Sequence, residues 1–119
     1  MSEPLLNQDI VAELGAVMGK AFAVLCDKFA LDVDQRQALL KEALDNRQAE
    51  QLKQQAHSMK GACANMGASS LASLCEQIQQ LAPDQHWEQL EGLLAALSDL
   101  SPKVVGALRE KAPDQNQDG

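Results

Sequence analysis

Of the two histidines in this 119-residue chain, one stands where it could do chemistry. His57 has Lys53 four positions before it and Lys60 three after it, so on a helix both ammonium groups fall on its side. A neutral imidazole carries a nitrogen lone pair and attacks phosphorus or carbonyl carbon without an elaborate activating base. Ammonium groups beside that nitrogen suit phosphoryl chemistry, because they can neutralise oxygens as charge moves during transfer. Gly61, four positions after His57, costs a helix interior about 1 kcal/mol relative to alanine. With Ala64 and Ala68 it is expected to leave bare backbone around the ring, so that another molecule's reacting group can come close.

Other chemistries fit the same residues poorly. No metal ligand stands at helical spacing from His57, Cys63 falls on another face, and His86 is isolated, so neither a metal nor a cofactor is expected on this chain. Ser58 cannot act as a nucleophile activated by His57, since adjacent helical residues point about 100° apart and no orienting carboxylate is evident. There is no glycine-rich phosphate cradle of the kind an ATP-using enzyme needs. Cys26, Cys63 and Cys75 are odd in number and widely spaced, which reads as packing and not as a disulfide framework.

The elements that must carry His57 are helices, because apolar residues recur at steps of three and four almost throughout. Asn7 is placed to cap a short first helix over about 8–15, with a bend at Gly15. A long second helix, about 17–45, carries Phe22, Leu25, Phe29, Val33, Leu40 and Leu44, and Asp45-Asn46 closes it. A third, about 48–66, has Leu52, Ala56, Met59, Cys63 and Met66 inward and Gly67 as its stop. His57 points roughly 140° away from that stripe at about 100° per residue, hence outward. The fourth helix, about 69–82, turns Leu71, Leu74, Ile78 and Leu81 inward. Pro83-Asp84 makes the next turn, where Asp84 is expected to cap a fifth helix running to about 111, with Ser101 easing a kink at Pro102.

Amphipathic helices with short connections bury their stripes against antiparallel neighbours. The expected fold class is therefore all-α: an antiparallel up-down-up-down four-helix bundle with an additional short N-terminal helix. Residues 1–111 form one domain in this reading, and 112–119 a disordered polar tail. Hydrophobic residues make up 45% of the chain but aromatics only 3%, so leucine, alanine, valine and methionine must fill the core. A formal net charge of -7 repels nucleic acid and anionic membrane alike. With no apolar run near 20 residues and no signal peptide at the start, the chain reads as cytoplasmic. Its start at Met1 and polar end suit a free-standing protein, and a segment of a larger one would look much the same.

The run Ala56-His57-Ser58-Met59-Lys60-Gly61-Ala62, followed by Asn65 and Gly67-Ala68, resembles the signature of histidine phosphotransfer domains. The likeness extends through Phe22, Phe29, Asp34 and Arg36 upstream and Leu71, Leu74 and Cys75 downstream, about residues 7–110. Met59 and Met66 stand where branched residues are more usual. The resemblance implies that His57 is phosphorylated, that Lys60 assists the phosphoryl group, that Gly61 opens the surface, and that Gln79 hydrogen-bonds the imidazole. It implies a carrier in a two-component phosphorelay, not an autonomous enzyme. Its partners would be a hybrid sensor kinase and a response-regulator receiver domain, the latter supplying aspartate and Mg²⁺. The partner-binding surface is expected at Ser58, Gly61, Ala64 and Asn65 with exposed parts of the first two helices, on a monomer. The alternative is a noncatalytic helical-bundle interaction module that sequesters a signalling partner without accepting phosphate.

Overall fold

A computed structural model of the chain describes residues 4–112. Five helices follow one another: α1 (Gln8–Met18), α2 (Ala21–Asp45), α3 (Ala49–Asn65), α4 (Ser69–Leu81) and α5 (Trp87–Glu110). There is no strand among the described residues. Helices α2 to α5 pack in a ring, each chiefly against its neighbours in order, with α5 returning to α2, while α1 leans on α2. α3 and α5 therefore face each other across the bundle.

Cross-helix pairs give the directions. Arg47, just past the end of α2, meets Glu91 near the start of α5, whereas Asp27 near the start of α2 meets Arg109 at the end of α5. Those two helices run opposite ways. α3 and α4 do the same, since His57 meets Gln79 and the later residue Lys60 meets the earlier Glu76.

The stripes read from the sequence form the core. Phe22, Val33, Leu40, Leu52, Met59, Leu71, Ile78, Leu90, Leu97 and Leu108 are all essentially without exposed surface. Each fully buried side chain of this size stabilises the fold by about 1.5–3 kcal/mol relative to its exposed state. Cys26, Cys63 and Cys75 lie among them as free thiols.

The local signals at the helix ends mostly act as expected. Asn7 caps α1 by accepting from the Ile10 amide at 3.2 Å, and α2 closes at Asp45 with Asn46 as its cap. α3 ends at Asn65, and Gly67 takes the left-handed conformation (φ 73°) that lets the Ala68 amide bond back to the Cys63 carbonyl at 2.9 Å. Gly67 is also where the N-terminal segment docks. Its carbonyl accepts from the Asn7 amide at 2.8 Å, and a Cβ there would stand 2.7 Å from the Val11 side chain.

Two expectations about the elements are corrected, and the passage of the fifth helix through Pro102 is as expected. The first helix does not bend at Gly15 but continues to Met18, and the break falls at Gly19, whose φ of 56° only glycine adopts readily. Asp84 does not cap α5: the helix starts at Trp87 after His86, and Gln85 takes the positive φ (57°) that turns the chain. α5 passes Pro102 without interruption. Ser101 donates to the Leu97 carbonyl at 2.7 Å and accepts from Gln37 at 3.2 Å, which ties this turn to α2. Ala112 still packs against the core, and the rest of the expected polar tail lies outside the described residues.

Candidate functional site

His57 occupies the middle of α3, and its neighbours Leu52, Ala56, Met59 and Cys63 anchor that helix in the core. With the apolar face pinned, His57 must stand out from the bundle, and its side chain is exposed. It leans toward α4, where Nδ1 lies 3.3 Å from Gln79 Oε1. In the tautomer that carries its proton on Nδ1 the ring donates to this amide oxygen, and the lone pair is then on Nε2. The ring is thus held at one nitrogen and left nucleophilic at the other.

Lys60 falls on the same side of α3 and is not free. Its ammonium is paired with Glu76 on α4, whose other carboxylate oxygen accepts from Gln80 at 2.9 Å. The hydrogen bond from Lys60 holds the Glu76 carboxyl below the usual carboxylate range against a smaller opposing effect of desolvation. The positive charge of Lys60, the Gln80 amide and His57 push the same way. The positive surround expected from the two lysines is therefore partly cancelled, and Lys53 has no carboxylate partner among the described ion pairs.

Gly61 is exposed beside His57, and a Cβ built there meets nothing within 4 Å. Nothing inside the fold requires a glycine at this point. Ala64 and Asn65 are exposed as expected. Ser58 is exposed too, but its Oγ accepts from Arg36 of α2 at 2.7 Å, and Arg36 is itself clamped to Asp32 at 2.8 Å. Ala68 departs from expectation. It is fully buried as the residue preceding α4 and contributes no bare surface near the ring.

Two participants escaped the sequence reading: Glu76 and Arg36 as a contact of Ser58. The signal for Glu76 was present, because Glu76 and Gln79 stand three apart on α4 just as His57 and Lys60 do on α3. On antiparallel helices such spacings match. Among the described residues no cluster of three His, Cys, Asp or Glu is placed to hold a metal ion, and no helix is long and apolar enough to cross a membrane.

An outward histidine met by Gln79 of the next helix is the arrangement that the resemblance to histidine phosphotransfer domains implies. The Hpt domain model matches residues 24–110, so the chain belongs to the Hpt domain family. The fold is similar to that of histidine-containing phosphotransfer protein B (HptB) from Pseudomonas aeruginosa PAO1, with a TM-score of 0.84 and 31% sequence identity over 92% of this chain and 96% of that one. No curated protein matches the chain. Family and fold together give it a histidine phosphotransfer role in a phosphorelay.

Proposed function

We propose that the chain carries a phosphoryl group on His57 and exchanges it with aspartates of response-regulator receiver domains. The observation that carries this reading is the contact of His57 Nδ1 with Gln79 on an exposed ring, which in the Nδ1–H tautomer leaves Nε2 as the nucleophile. The Nε2 lone pair forms the phosphorus–nitrogen bond as the phosphorus–oxygen bond of the donor aspartyl phosphate breaks, and the carboxylate leaves with the bonding pair. The Nδ1 proton stays in place, so the ring is cationic as formed, and the Gln79 oxygen stabilises that charge. Transfer onward is the reverse.

Lys60 neutralises phosphoryl oxygens in the transition state, and Gly61 with Ala64 and Asn65 lets the receiver approach. Ser58, held by Arg36, forms the edge of that surface toward α2. The receiver, not this chain, supplies the Mg²⁺ and the acidic residues, and a hybrid sensor kinase supplies the phosphate. A carrier of this kind has no need of an ATP site.

The test is incubation with a phosphorylated receiver domain. Label passes to the wild-type chain and not to His57→Gln. A panel of receivers from the source organism, including one shown to bind the chain, that leaves wild-type His57 unlabelled would refute the reading and favour an interaction module that only sequesters its partner.

A further inference from the structure

We propose that Glu76 is a positioning residue for phosphoryl transfer, holding the Lys60 ammonium while His57 is bare and yielding it when His57 is loaded. The inference rests on the reading of His57 as phosphoryl acceptor. Its starting point is that α4 presents two side chains to α3, Gln79 to the imidazole and Glu76 to the ammonium. The cation assigned to the phosphoryl group is thus already engaged by a carboxylate before any phosphate arrives.

The pair is built to exchange partners. Its side chains retain 42% and 36% of their exposure, and an ion pair this wet is held only weakly. A phosphoryl group brings up to about two negative charges and three acceptor oxygens, more than a carboxylate offers. Lys60 and Glu76 also line an open cleft of about 330 Å³ with Ile10, Ala64 and Ser73, on the side of the pair toward α1, so the pair is open to water there as well. Glu76 stays behind, because Gln80 bonds its second oxygen on the same helix.

Once the ammonium has moved, Glu76 is an uncompensated negative charge near an anionic group. It makes loaded His57 less stable than a neutral residue would, and so favours unloading. Glu76→Gln removes both the competition for Lys60 and the repulsion. From the usual strength of exposed charge pairs, the equilibrium between receiver and chain shifts toward loaded His57 by about threefold to fivefold.

The experiment uses the full chain and a receiver domain that exchanges phosphate with it. Glu76→Gln is expected to raise the equilibrium constant for loading by that factor with the receiver's KM unchanged, while Glu76→Asp, which keeps the charge, stays near wild type. In parallel, the ¹⁵Nζ resonance of Lys60 is followed as His57 is loaded with potassium phosphoramidate, and it should move in the wild type. An unchanged equilibrium in Glu76→Gln, or a Lys60 resonance indifferent to loading, overturns the proposal. Absence of label on the wild type overturns the reading of His57 itself, and is told apart by that control.

Discussion

Replacing Gly61 by alanine should make this chain more stable and a poorer phosphoryl carrier at once. The added Cβ meets open space, and the residue lies in the exposed interior of α3, so only helix propensity operates on folding. That difference is about 1 kcal/mol in favour of alanine. For a domain of this size it raises Tm by about 4 °C. Gly92 supplies the control, since it too is an exposed helical glycine facing open space, but on α5, across the bundle from α3. Thermal unfolding followed by circular dichroism should show similar gains for Gly61→Ala and Gly92→Ala. Phosphotransfer should separate them, with kcat/KM unchanged in Gly92→Ala and reduced about tenfold in Gly61→Ala, the cost of a methyl group forced into a packed contact. Gly61→Gln should lose more. A fall in Tm for Gly61→Ala alone would show that the glycine serves the fold, and full activity in Gly61→Gln would remove it from the docking surface.

Lys60→Ala is expected to slow transfer by about tenfold to a hundredfold with the receiver's KM nearly unchanged, because a charge aimed at the transition state is lost; a rise in KM alone would reassign Lys60 to docking. Gly67→Ala must adopt a positive φ at a cost of about 1–2 kcal/mol and also push Val11 aside, so denaturant unfolding should register a loss of about 2–3 kcal/mol. The Cys75 thiol is pushed up by its hydrogen bond with Cys63 and by burial, and should resist alkylation in the folded chain and react readily in urea; rapid labelling of the native protein would contradict the packing. The Glu76 carboxyl is held low in the folded state, so the stability it contributes is intact above about pH 4.5 and disappears as pH falls through the lowered value. The stability difference between wild type and Glu76→Gln should accordingly shrink in acid.

The helices and the outward turn of His57 were legible because one periodicity governs both: the residues that bury Leu52, Met59 and Cys63 oblige position 57 to face away. The caps at Asn7 and Gly67 were legible from their side chains, one an oxygen acceptor and the other tolerant of positive φ. The turn positions were not. Gly15 and Gly19 look alike in sequence, and which one breaks the helix depends on how α1 docks, while the positive φ at Gln85 delays the start of α5 to Trp87, beyond the reach of the cap expected at Asp84. In the site, Gln79 came from resemblance to a family. Glu76 went unseen because the reading followed one helix at a time, and an ion pair between helices appears only when their registers are laid side by side.

His57 is the ninth of the seventeen residues of α3. The partial charges of a helix are concentrated in its first and last turns, and a group at mid-length feels little of either. A phosphoryl group there receives none of the amide hydrogen bonding that would turn a helix start into an anion trap. Under the proposed role of His57 the consequence is a light grip: no helix end adds to the hold on a phosphoryl group, so the platform itself does not trap the loaded state.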